Sequence, residues 1–222
     1  MIQGAIFDVD GTLLDSMWVW EQAPTTYLRR LGIQPEANLA QKLYELTMER
    51  GADYVNQKYG LKKSPQEILS EVNRIAAEFY QKDVELKKGV LPLLEMFKRQ
   101  NVPMTMATSS DRWLIEAAFE RLELMKYFQR IFTCTEVGRG KHLPDIFLQA
   151  ADSMGTQPAQ TIVFEDGLYA AKTAKAAGFC VAGVYDPAEQ EDQQELKSLC
   201  DFYITDANTY EMIGRKLMER PE

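Results

Sequence analysis

Ile2-Gln3-Gly4-Ala5-Ile6-Phe7-Asp8-Val9-Asp10-Gly11-Thr12 opens the chain, and its reading decides the fold. A short apolar run passes straight into two carboxylates two positions apart. Side chains of an extended chain alternate faces, so Asp8 and Asp10 are expected to point to one side. Gly11 then breaks the strand and frees the loop behind it. This places paired acids at the C-terminal end of a buried strand, where open α/β sheets carry their chemistry. Taken alone, the acids and the glycine are equally a plain turn. A calcium loop is excluded, because it needs Gly at its sixth position and Glu at its twelfth, where Leu13 and Val19 stand.

Outward from this stretch, the pattern changes at residue 102. Apolar runs at 102–108, 130–133, 161–165, 180–185 and 202–205 read as strands. Helices are expected from Asp111, from Pro144 to about 154, over 168–177 with Gly178 as the stop, over 189–199, and from Thr209 onward. Alternation of this kind predicts a doubly wound, Rossmann-like α/β core: a parallel sheet with helices on both faces. One hundred residues separate Asp8 from Thr108, whereas a βαβ unit needs only about 30. The excess is an insertion, and it reads as all helix, with helical apolar spacing at 17–31, 37–48, 51–59 and 65–83. Ser64-Pro65-Gln66-Glu67 is a helix start, and Gly32, Gly60 and Gly89 are expected stops. The expected organisation is a catalytic core at 1–15 and 87–222, with a helical cap at 16–86 acting as a lid over the sheet edge.

The 222 residues carry 25 basic and 33 acidic side chains, a net charge of −8. That balance is a poor match for nucleic acid. No run of 18 apolar residues offers a membrane span, and Ile2 to Phe7 is too short for a signal peptide and lacks a basic flank. Cys134, Cys180 and Cys200 are odd in number and spaced unlike a metal knuckle. They read as reduced, mostly buried residues of a cytoplasmic protein. His142, the single histidine, has no partner cluster and reads as a surface loop residue.

The topology draws four groups to one edge: Asp8 with Asp10, Thr108 with Ser109, Lys141 in a glycine-flanked loop, and Glu165 with Asp166. Each has a plain reading. Thr108-Ser109-Ser110-Asp111 caps the next helix; a loop lysine is solvated; two acids after a buried strand must reach solvent or a cation. Jointly they are the parts for Mg²⁺-assisted phosphoryl transfer, with carboxylates for the cation and hydroxyls and an ammonium for the phosphate oxygens.

Those motifs, in that order and spacing, resemble the haloacid dehalogenase-like superfamily, in its aspartate-nucleophile phosphatase branch. The helical insertion is similar to the cap of β-phosphoglucomutase-like and phosphoglycolate-phosphatase-like members. The resemblance implies Asp8 as nucleophile, Asp10 as acid and then base, and Thr108 and the Ser109 N–H on phosphate oxygens. It implies that Lys141 pairs with Asp8 and the phosphate. Mg²⁺ would be held by Asp8, the Asp10 carbonyl and Asp166, with Glu165 near. The family's usual residues after the last acid are replaced by Gly167 and Ala170, and the usual Pro after the lysine by His142. A mutase's cap histidine position holds Trp20, and Thr12 stands where mutases often have Val. Both favour a phosphatase of a small-molecule phosphate ester over a phosphosugar mutase. The intact acids and lysine speak against a non-catalytic binding protein. A monomer or weak dimer is expected. Met17, Trp18 and Trp20, with Arg50 and Tyr54 on a later helix, either pack the cap or wall the leaving group, which makes Trp20 and Arg50 candidate specificity residues.

Overall fold

In a computed structural model of the protein, residues 2–44 and 46–218 are described. Elements run β1 (Gly4–Phe7), β2 (Leu14–Asp15), α1 (Met17–Arg30), α2 (Leu39–Tyr44), α3 (Met48–Tyr59), α4 (Pro65–Lys82), β3 (Glu85–Leu86), α5 (Val90–Arg99), β4 (Met104–Thr108), α6 (Arg112–Arg121) and β5 (Arg130–Thr133). They continue with α7 (Cys134–Val137), α8 (Asp145–Ser153), β6 (Thr161–Glu165), α9 (Leu168–Ala176), β7 (Cys180–Val184), α10 (Gln193–Leu199), β8 (Phe202–Ile204) and α11 (Ala207–Met218). The chain forms two compact units, Met1–Asp15 with Glu85–Glu222, and Ser16–Val84. Among the described residues no helix is long and apolar enough to cross a membrane.

The first unit holds a six-stranded sheet in the order β5-β4-β1-β6-β7-β8, parallel throughout. Alternation along each strand builds two cores. Ile6, Val163 and Val181 face one way, into a buried cluster with Phe147 and Ala150 of α8, Ala171 and Ala174 of α9, and Leu196 of α10. Phe7 and Phe164 face the other way, stacked at 4.5 Å, with Phe97 of α5 against both. A sheet covered on both faces is what the continuous apolar strands require. β2 pairs antiparallel with β3, Leu14 opposite Leu86 and Asp15 opposite Glu85. That short ribbon places the second unit boundary at Val84–Glu85, shortly before the one expected after 86.

The second unit is helical. Ser64 caps α4 as expected: its Oγ accepts from the Glu67 N–H, and the Glu67 carboxylate accepts from the Ser64 N–H at 2.7 Å. Four expectations, one in this unit and three in the first, need correction. The helix over 37–48 is instead α2 followed by a new start for α3, because extended Thr47 turns the chain and its hydroxyl accepts from the Arg50 N–H at 3.4 Å; residue 45 lies outside the described residues. Gly89 does not stop a helix but starts one. It is the N-cap of α5 at φ +96°, a helix that, like α7 and the β2–β3 ribbon, is not among the elements expected from the apolar spacing. In the last quarter, α10 begins at Gln193 rather than near 189, and α11 at Ala207 rather than 209, since the Asp206 carboxylate accepts from the Thr209 N–H at 2.9 Å.

Candidate functional site

Sheet order explains the convergence. β4, β1 and β6 lie side by side, so Thr108, Asp8 and Glu165 end or follow three neighbouring strands although they are far apart in sequence. Asp8 leaves β1 with its N–H on the Phe164 carbonyl at 2.9 Å, beside Glu165 and Asp166. The loop then turns tightly: the N–H groups of Leu13 and Leu14 both donate to the Val9 carbonyl, at 2.9 and 2.8 Å. Gly11, at φ +80°, makes that turn possible.

Lys141 is buried, only 2% exposed, so its reading as a solvated loop lysine is overturned. Its ammonium donates to the Asp8 carboxylate and, at 3.0 Å, to Glu165 Oε2. Asp8, Glu165 and Asp166 are buried, and one carboxylate oxygen of each lies within 4.8 Å of the others. The Thr12 hydroxyl donates to Asp166 Oδ1 at 3.1 Å. Thr108 Oγ1 accepts from the Ser110 N–H at 3.0 Å, and the Ser110 hydroxyl donates to Asp10 Oδ2 at 2.6 Å. Ser109 is exposed, its Oγ 3.6 Å from Cys134 Sγ. No side chain caps α6, whose N-cap residue is Asp111. The plain capping reading of residues 108–111 is therefore corrected.

Three buried carboxylates face one ammonium, and their protonation shows the imbalance. Burial raises Glu165 to about 8, aided by the charge of Asp8 and opposed by Lys141. Burial lifts Asp166 well above the carboxylate range, with Asp8 and Glu165 adding repulsion. Asp8 is raised by burial against the pull of Lys141. Burial works against the Lys141 charge, yet Asp8 and Glu165 together push its titration upward. A cluster of buried oxygens with surplus negative charge is a donor set that fits a hard cation.

Two further residues border the site. Tyr169, in the first turn of α9, is 54% exposed and feels the charges of Lys141 and Glu165. Lys87 donates to Asp186 at 2.8 Å and to the Tyr185 carbonyl at 2.8 Å, and its charge reaches Asp166. No motif marks either one. The three cysteines are half-buried and free, less buried than expected. In the helical unit Trp20 is half-buried and Arg50 exposed; Trp18 packs edge-on against Phe79 at 5.1 Å.

The model of the haloacid dehalogenase-like hydrolase family matches residues 5–184. The chain belongs to that family. This haloacid dehalogenase-like hydrolase is 31% identical over 183 residues to a validoxylamine A 7′-phosphate phosphatase of Streptomyces hygroscopicus subsp. limoneus, covering 82% of this chain and 85% of the relative. It is 30% identical over 177 residues to a fructose-1-phosphate phosphatase of Escherichia coli K12, covering 79% and 92%. The fold matches a β-phosphoglucomutase of Clostridium difficile with a TM-score of 0.72 at 20% identity, over 98% of this chain and 97% of that one. At that identity the likeness shows the fold alone.

Proposed function

We propose that this hydrolase is a Mg²⁺-dependent phosphatase that cleaves a small-molecule phosphate monoester, a sugar phosphate or a similar metabolite, through an aspartyl-phosphate on Asp8. The observation that carries the reading is the Lys141 ammonium held between buried Asp8 and Glu165, with Asp166 in cation-sharing reach of both. Asp8 attacks phosphorus; a carboxylate needs no proton removed to do so. The departing alkoxide takes a proton from the Asp10 carboxyl, and Asp10 then accepts one from the water that cleaves the acyl phosphate. Lys141 neutralises Asp8 and the transferring oxygens. The Thr108 hydroxyl has accepted the Ser110 N–H, so its own hydrogen is available for a phosphate oxygen beside the Ser109 N–H. Asp8, Asp166, the Asp10 carbonyl and Glu165 nearby would hold Mg²⁺, which offsets the repulsion between carboxylates and phosphate.

Relatives at 30% identity or above that carry sugar-phosphate-type phosphatase names support hydrolysis of such an ester. Trp20 in place of a mutase's cap histidine supports hydrolysis over phosphosugar mutation. The helical unit, threaded into the chain directly after the Asp8–Asp10 loop, is read as a cap that selects the leaving group.

Turnover of p-nitrophenyl phosphate tests the chemistry. It is expected to require Mg²⁺, to vanish with EDTA and to fall to background in Asp8→Asn. Activity that persists in Asp8→Asn would reject the covalent route.

A further inference from the structure

We propose that Ser110 is a positioning residue for Asp10. The inference rests on the reading of Asp10 as the acid that protonates the leaving oxygen.

Ser110 has an obvious local task, capping α6, and does not perform it: Asp111 occupies the N-cap position and no side chain caps that helix. Its hydroxyl instead crosses to the neighbouring strand end and donates to Asp10 Oδ2 at 2.6 Å. Its own N–H is bound to Thr108 Oγ1 at 3.0 Å. The residue is thus fixed to the end of β4 through its backbone and holds the loop after β1 through its side chain. Asp10 is half-buried and stands beside Gly11 in a left-handed turn, and the Ser110 hydroxyl fixes one of its carboxylate oxygens against the broad terminal torsion of an aspartate. A general acid works only within hydrogen-bond reach of the atom it protonates. The proton that Asp10 carries passes to the leaving oxygen, the electron pair stays on the carboxylate, and Ser110 keeps its own proton.

The test compares kcat/KM for phenyl phosphate and p-nitrophenyl phosphate, which share a shape but differ in the need for leaving-group protonation. Ser110→Ala is expected to lose about tenfold more on phenyl phosphate than on the nitrophenyl ester. Ser110→Thr, which keeps the hydroxyl, restores the native ratio. Ser110→Cys preserves bulk with a weak donor, shows the same bias as Ser110→Ala, and serves if that variant does not fold. Asp10→Asn supplies the reference, a larger bias in the same direction. If Asp10→Asn shows the bias and the serine variants lose both substrates equally or neither, Ser110 is not a positioning residue and the role of Asp10 stands. If Asp10→Asn shows no bias, the acid reading fails and the proposal with it.

Discussion

Lys141 shows what a single side chain settles at the residue scale. Its loop, Gly138 to Pro144, looks like an exposed connection, yet the ammonium is buried and bridges two carboxylates. Removing one partner of a buried ion cluster leaves the others uncompensated, at about 3–5 kcal/mol. Lys141→Met is expected to cost that much in urea unfolding of the metal-free protein and to abolish turnover. Lys141→Arg is not expected to rescue activity, because a planar fork replaces a compact ammonium between Asp8 and Glu165. The acids of the site were legible as residue types at strand ends. The pairing of Lys141 with Asp8 follows from the family resemblance, but its burial and its second contact to Glu165 do not, since nothing local distinguishes a loop lysine in water from one drawn under a sheet edge.

At the scale of elements, the helix and strand periods were readable wherever the apolar spacing was sustained. β1, β4, β6 and the capped start of α4 are cases in point. The misreadings lie where a turn, not a period, decides. Glycine ends helices, so the pattern around Gly89 reads as a stop, but its left-handed backbone turns the chain from β3 into α5. A methyl group at Gly89 would stand 2.6 Å from the Ala207 Cα, with φ at +96°. Gly89→Ala is therefore expected to destabilise the core unit by about 1–3 kcal/mol or more, through both strain and a backbone clash. Gly138→Ala shares a positive φ but meets nothing within 4 Å, so it should cost only about 1 kcal/mol. Chemical denaturation of the two variants side by side separates clash from strain.

The whole molecule sets the pH response. In the metal-free protein Glu165 keeps its proton up to about pH 8, whereas the unfolded chain releases it near 4.5. Between those values the folded state binds more protons, so stability falls as pH rises through the window and the loss is complete above about 8. Asp166, raised in the same direction, adds to the slope. A bound cation favours the ionised carboxylates. Thermal melts in EDTA should therefore drop from about pH 5 to 8, and the gain on adding Mg²⁺ should be larger at the upper end. A flat EDTA profile would remove the electrostatic account of the site. The helical unit carries its own prediction: Trp20→Ala or Arg50→Ala should change relative rates across a panel of sugar, polyol and nucleoside phosphates by about tenfold, corresponding to 1–3 kcal/mol of pocket contact. Unchanged selectivity would assign both residues to the helical unit's own packing and surface.

By itself the sequence determined the class of the core, the insertion of a helical unit after Asp10, and the strand ends that carry acids and hydroxyls. Those follow from patterns within a few residues: a two-residue period, a helical period, a cap. Only the tertiary structure decided that β4, β1 and β6 are neighbours, that Lys141 is buried and held by Glu165 as well as by Asp8, and that Ser110 reaches across to Asp10. The physical reason is range. Periodicity is written by adjacent residues, whereas strand order and the burial of a charge are set by contacts between segments about a hundred residues apart, which no local pattern encodes.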